Sequence, residues 1–350
     1  MTSCILCPGA LADPDAHGPA QAPPDWPAAA AAAIRGMRLR RGRILRHDVT
    51  EAPLADWPHD RWLRERFGLA DHAHPDACDA LDLLGDSRPE GALVVRPASL
   101  HVGLDQLMLM PPHAVCLAPS AAGELCDAAN AHFGDQGPRL EVLAPGCWLL
   151  LPPRPLDVRT RPASVAVGRS VGDYLPEGPD ARLLAGWINE VQMLWHGHEV
   201  NEARESTGHL PVNWLWVDGP LPEPRSNPFA SVHADRPSLR GLARAAGTEE
   251  ITPAPRAAAE LLALLDSRPR LVELAGWRRP VLEGDAAGWR DAWDRFAELL
   301  APALRSAPRS ARLDVVLTGE RSLVVLQWRA ADNWKWWRAA DRGPRTTAAR

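Results

Sequence analysis

"INEVQMLWHGHEVNEARESTGHLPVNWLWVDG", residues 188–219, sets a helical pattern against a strand-like run across a single turn. Leu184, Trp187, Ile188, Val191, Leu194, Trp195 and His198 recur at the spacing of one helix face. Pro179 with Asp180 supplies a start and Gly208 a stop, so the spacing predicts one long helix from about Asp180 to Arg204. "VNWLWV", residues 212–217, then reads as a buried strand.

The pattern continues on both sides. Upstream, strands are expected at "SCILC", at Ala92–Arg96, at Gln106–Leu109, and at "RLEVLA" and "CWLLLP". Helices are expected at "HDRWLRERFG" and Ala121–Phe133, and "PAAAAAAIRGMRLRRGRIL" reads as a helix with a basic end. Downstream, residues 218–240 read as a proline-rich connection. Helices near Ala257–Leu265 and Ala286–Leu304 alternate with strands "RLVEL", "RLDVVLTG" and "RSLVVLQW". Strands alternating with helices indicate an α/β protein with a mixed sheet and flanking helices. The expected organisation is a partly irregular N-terminal part, 1–91, a core, 92–220, and a C-terminal α/β part, 221–350.

Composition excludes several classes. The net charge of −5 leaves no basic surplus for a nucleic-acid backbone. No apolar run reaches membrane-spanning length, and the first residues lack the layout of a secretory signal. Six cysteines in 350 residues fit reduced thiols in a cytoplasm better than a disulfide framework. Lys335 is the sole lysine, which argues against a Walker, Schiff-base or S-x-x-K lysine. The arginine, alanine and proline bias is that of a GC-rich bacterial genome.

Several stretches carry residue types capable of chemistry. "GRSVG", residues 168–172, has the form of a nucleophile elbow, but Pro176, Gly178 and Pro179 forbid the helix that must follow at once. "CILC" lacks a second pair for zinc and reads as buried strand cysteines. "DHAHPDACD", residues 71–79, offers metal-ligand types and reads as a solvated loop. In "LHVGLDQLML", His101 and Asp105 can meet across a turn at Gly103, as a polar turn or as a functional pair. On the long helix, His198, Asn201 and Arg204 stand three apart, with Asn213 opening the strand. Arg204 is suited to a carboxylate or phosphate, and equally to capping the helix end together with His209.

These residues resemble the core motif of the RpfE-type bacterial regulatory proteins, a phosphoglycerate mutase-like family. "LHVGLDQL" and "VGRSVGDYLPEG" fit that family in the expected order, and the likeness spans roughly residues 92–220. A more distant likeness joins the chain to archaeal-type cofactor-independent phosphoglycerate mutases, which carry H-P-V-N-x-x-R-x-x-G before a Trp-rich strand. Here His198, Asn201, Arg204, Gly208, Trp214 and Trp216 match. Glu199 replaces the proline, "WVDG" replaces the glycine-rich ending, and Leu156 precedes Asp157 where a histidine is usual.

That likeness implies an alkaline-phosphatase-like scaffold, with a serine nucleophile and two metals held by Asp and His. It also implies Asp-Gly after the first strand, where this chain has "ILCPGALADPD". A T-x-D-H-like motif is implied at a later strand end, where Gly319, Glu320 and Arg321 stand. The expectation is a degenerate mutase scaffold in a non-catalytic, cytoplasmic regulatory protein, with no metal or cofactor. It would bind a small anionic metabolite through His101, Asp105, Asn189, Gln192, His198, Asn201, Arg204 and Asn213, with no nucleic-acid or membrane partner. The alternatives are a metal-dependent phosphoglycerate mutase or phosphatase, and a protein-interaction scaffold using Trp334, Trp336 and Trp337.

Overall fold

The structure, a computed structural model, describes residues 2–11, 43–49, 56–85, 87–103, 106–266 and 268–331. Most of the alanine-rich helix expected before Leu45, Asp105, and the Trp334, Trp336 and Trp337 tail lie outside the described residues. The strands, in chain order, are β1 Ser3–Cys7, β2 Arg43–Val49, β3 Leu93–Ala98, β4 Leu100–Val102, β5 Leu107–Leu109, β6 Arg139–Ala144 and β7 Cys147–Leu151. They continue with β8 Trp214–Pro220, β9 Ser231–His233, β10 Glu250–Thr252, β11 Arg270–Glu273, β12 Arg312–Thr318 and β13 Ser322–Arg329. The α/β class with a mixed sheet and flanking helices is what the structure has. The chain forms two compact units: residues 1–66, 226–236 and 247–350, and residues 67–225 and 237–246.

The first unit holds a sheet ordered β10-β9-β11-β1-β12-β13-β2. The five strands from β10 to β12 run parallel, and β13 and β2 add antiparallel. β1 lies mid-sheet, with Cys4 opposite Leu271 and Asp314, and all five of its residues are buried. That explains its unbroken apolar run, since a parallel strand covered on both faces needs no alternation. Helix Ala286–Ser306 lays Trp289, Trp293, Phe296 and Leu300 on Ile5, Val315, Leu317 and Val324.

The second unit is built on the antiparallel sheet β6-β7-β3-β8. Alternation sorts its side chains. Leu93, Val95, Trp148 and Leu150 enter the core shared with helices Pro119–Phe133 and Ala181–His196. Val94, Cys147 and Leu149 enter a smaller core with Ala77 and Ala80.

Four local expectations change. The expected helix Asp180–Arg204 is two helices, Ala181–His196 and Glu199–Ser206. His198 turns extended between them and caps the second, its Nδ1 accepting from Val200 N–H at 3.2 Å. Arg43–Leu45, the end of the expected basic helix, is strand. The expected connection 218–240 contains β9 and the start of helix Pro237–Ala245. "DHAHPDACD" is not a solvated loop: His74, Asp76 and Cys78 are buried around a 3-10 turn, Pro75–Cys78, that leads into helix Asp79–Leu84.

Helix Pro237–Ala245 meets that turn at Gly241, where an added Cβ would lie 1.8 Å from the Cys78 carbonyl oxygen. Gly241→Ala is therefore expected to destabilise the fold by about 1–3 kcal/mol, the ordinary cost of overpacking, read as a lower urea midpoint. An unchanged midpoint would mean that the helix does not sit so close.

Candidate functional site

The residues singled out in 188–219 converge, but on the backbone. Asn201 is buried; its Nδ2 donates to Trp195 O at 2.8 Å and Val212 O at 2.9 Å, and its Oδ1 accepts from Val212 N–H at 2.7 Å. Arg204 donates from Nε to Leu210 O at 2.8 Å and from Nη2 to Val115 O. Asn213 clasps Leu100 from both sides, Nδ2 to its carbonyl at 3.0 Å and its N–H to Oδ1 at 2.7 Å. These bonds fasten the loop after helix Glu199–Ser206 to its surroundings. His101 is exposed on β4 opposite Met108, Asn189 is exposed, and Gln192 and His198 are half-buried. Asp105 lies outside the described residues.

The first unit gathers a different set at the carboxyl ends of its parallel strands, where open α/β sheets bind ligands. Arg236, just past β9, sends Nη2 to Glu273 Oε1 at 2.7 Å and Nη1 to Asp60 Oδ1 at 3.2 Å. Glu273 ends β11, and Asp60 lies in the first turn of helix Pro58–Phe67. His59 Nε2 stands 3.5 Å from the same Asp60 oxygen, and all four side chains are nearly sealed from solvent. A small cleft beside them is lined by Gly9, Trp57, His59, Arg278, Val281 and Leu282.

The turn after β1 is held by its backbone. Gly9 adopts φ +80° and donates its N–H to Thr318 Oγ1, while Trp289 and Trp293 donate their indole N–H groups to the carbonyls of Gly9 and Ala10. The left-handed backbone at Gly9 would strain any residue with a side chain, and an added Cβ would lie 3.3 Å from Val281 and 3.5 Å from Trp277. "TGER" closes a hairpin, Gly319 N–H bonding Ser322 O at 2.8 Å between β12 and β13.

This arrangement limits the chemistry available. Burial, then the charge of Glu273, pushes the Cys7 thiol well above its ordinary range. Burial, then Asp314, pushes Cys4 up to about 12. Neither is a ready thiolate nucleophile or ligand. Among the described residues no group of three or more His, Cys, Asp or Glu side chains is arranged to hold a metal ion. Asp60 and Glu273 already share a guanidinium, which a dication would have to displace. The two-metal set of an alkaline-phosphatase-like enzyme does not fit these side chains. Also among the described residues, no helix is long and apolar enough to cross a membrane.

Sequence reading missed His59, Asp60, Arg236 and Glu273. The usable signal was small: an acid closing the apolar run "RLVE", and "HADR" inside a stretch taken for a connection.

No protein-family model matches the chain. It is 37% identical over 68 residues to the 2,3-bisphosphoglycerate-independent phosphoglycerate mutase of Methanothrix thermoacetophila, covering 19% of this chain and 17% of that protein. It is 32% identical over 105 residues to 2,3-bisphosphoglycerate-independent phosphoglycerate mutase 2 of Methanothermobacter thermautotrophicus, covering 27% of this chain and 25% of that protein. The matched segments thus span a quarter or less of those relatives. The structure of the PH0037 protein from Pyrococcus horikoshii shares the fold at a TM-score of 0.51, with 12% identity over 94% of this chain and 87% of that one. The chain is distantly homologous to archaeal-type cofactor-independent phosphoglycerate mutases.

Two measurements check this description. Asn201→Ala is expected to cost about 1–3 kcal/mol in urea unfolding because it orphans buried backbone groups, whereas the exposed Asn189→Ala stays within about 0.5 kcal/mol. Equal effects would contradict the bracing role. In a thiol titration of the native protein near neutral pH, Cys116 reacts fast and the five buried cysteines react slowly or only on unfolding.

Proposed function

We propose that this chain is a phosphoglycerate mutase-like protein that acts by binding a small anionic metabolite in a regulatory role, without metal-dependent phosphoryl transfer. One observation carries the reading: at the strand ends, Arg236 lies between Asp60 and Glu273. Phosphoryl transfer on two metals needs carboxylates and histidines free to ligate, about 4 Å across the pair of ions. Here the carboxylates at that end neutralise an arginine, and the turn after β1 offers Cys7, Pro8, Gly9 and Ala10 in place of Asp-Gly.

The anion is assigned to the mouth of the cleft beside the cluster, whose interior has room for about one water. Arg278 supplies positive charge there, and Trp57, Val281 and Leu282 supply an apolar wall. Arg204, a candidate from the sequence, gives two of its nitrogens to backbone carbonyls. Trp62, Trp148, Trp195, Trp277, Trp289, Trp293 and Trp328 are fully buried and take no part in an interaction surface, and Trp334, Trp336 and Trp337 lie outside the described residues.

The second reading, a metal-dependent mutase or phosphatase, is favoured by the identity shared with the two archaeal mutases. One set of measurements separates the two. The purified protein is expected to carry no stoichiometric manganese or zinc and to show no manganese-dependent mutase or phosphatase turnover. Its melting temperature is expected to rise with millimolar 3-phosphoglycerate or a related phosphate, and the rise is expected to vanish in Arg278→Ala. Turnover that manganese restores and a chelator abolishes would establish the second reading and sink the first.

A further inference from the structure

β12 and β13 put two arginines side by side. Arg312, the first residue of β12, stands directly opposite Arg329, the last of β13. Just outside the pair, Ala330 N–H donates to Ala311 O at 3.1 Å. That bond makes Arg312 and Arg329 a non-hydrogen-bonded pair, the position at which facing Cα atoms approach to about 4.5 Å and the side chains stand closest. Like charges placed so weaken a sheet. A third arginine joins them. Ala311 N–H bonds Pro308 O at 2.8 Å, and the tight turn that this closes carries Arg309. Arg309, Arg312 and Arg329 are all exposed.

Little acid offsets this charge. Residues 299–319 hold Arg305, Arg309 and Arg312 against Asp314 alone, and residues 321–331 hold Arg321 and Arg329 against no acid. Arg305 lies in the last turn of helix Ala286–Ser306, where its charge already serves the helix end. Asp314 is buried and is reached through Gln327, whose Nε2 donates to its Oδ1 at 3.4 Å. Gln327 Oε1 accepts from Arg329 Nε at 3.2 Å and Nη2 at 2.8 Å. The amide therefore holds the Arg329 guanidinium in one orientation. Among the described residues, neither Arg309 nor Arg312 has a carboxylate within salt-bridge distance.

We propose that Arg309, Arg312 and Arg329 form a docking surface for an acidic peptide segment of a partner protein. Guanidinium forks match carboxylates in planar pairs, and arginine clusters are a recurring way to take acidic motifs. Three cations strung from a turn to a strand pair suit a ligand with several charges along its length rather than one small ion. The exposed chain around them, residues 305–312 and 329–331, carries no aromatic side chain on which a base could stack and no large apolar one to enter a lipid surface. The net charge of −5 also opposes a nucleic-acid backbone. The surface is separate from the cleft beside Arg278. Gly9 of that cleft bonds Thr318 at the far end of β12, roughly 20 Å along the strand from Arg312.

Fluorescence anisotropy of dye-labelled hexaglutamate titrated with the full chain, with a Gly-Ser peptide of equal length as the control, tests this. Saturable binding of hexaglutamate is expected at low ionic strength, weakening as salt rises, with none to the control. Arg309→Gln, Arg312→Gln and Arg329→Gln are each expected to weaken it by about three- to fivefold, the range of an exposed ion pair, while Arg278→Ala leaves it unchanged. In urea unfolding Arg312→Gln keeps or raises the midpoint, because it removes a like-charge pair. A clearly lower midpoint would make Arg312 a structural residue and overturn the proposal. So would no binding at low ionic strength, equal binding by the wild type and the three glutamine variants, or tighter binding to phosphatidylserine vesicles or to a single-stranded oligonucleotide than to hexaglutamate.

Discussion

A guanidinium taken out of water must have its charge matched and its N–H groups accepted, and this constraint organises the second unit around Arg96. Its Nε donates to Asp218. Nη1 donates to Asp79 at 2.7 Å and Gly146 O at 3.2 Å, and Nη2 to Asp79 at 3.0 Å and Asp76 O at 3.1 Å. All five donors of the fork are used. Asp218 in turn accepts from Ala163 N–H, and its carbonyl accepts from Thr160 Oγ1. One side chain on β3 thereby fixes β8, the turn before β7, the 3-10 turn and the helix that follows it. Desolvating each ion costs several kcal/mol, so the arrangement holds only because every partner is present. The first unit repeats the device with Arg236 between Asp60 and Glu273.

That second device bears most directly on function. A buried charge cluster of this kind ties the strand ends together. The distant homology to phosphoglycerate mutases and the shared fold describe a scaffold. A scaffold of this kind hosts chemistry only when the side chains at the strand ends are placed for it.

Local periodicity made much of the fold legible. "CILC", "RLVE" and "DVVL" are buried runs because parallel strands have no wet face, and the core helices announced themselves through spacing. The break at Gly197 was hidden because His198 continues the apolar spacing while its side chain is in fact a cap. The charged clusters were hidden for another reason. Arg96 and Asp218 stand 122 residues apart, and Arg236 and Asp60 stand 176 apart. No window of sequence contains both halves of either pair. "DHAHPDACD" looked solvated because Arg96, which pairs with the Asp79 carboxylate and bonds the Asp76 carbonyl, lies outside it on β3. In Asn201 and Arg204 the motif shows which donors are present, and the fold shows that backbone carbonyls take them.

The placement of β1 has a consequence for how the chain can come into being. It is synthesised more than 260 residues before β11 and β12, yet it sits between them, with Leu271 and Leu313 among the matching residues. During vectorial synthesis its apolar residues emerge long before either neighbour exists. Local contacts can form early within 67–225, whose antiparallel strands are mostly close in sequence. The first unit is bound to wait, and "SCILC" must stay out of aggregates until β11 and β12 arrive. A ribosome-bound nascent chain of this protein thus carries an apolar strand kept waiting for its sheet.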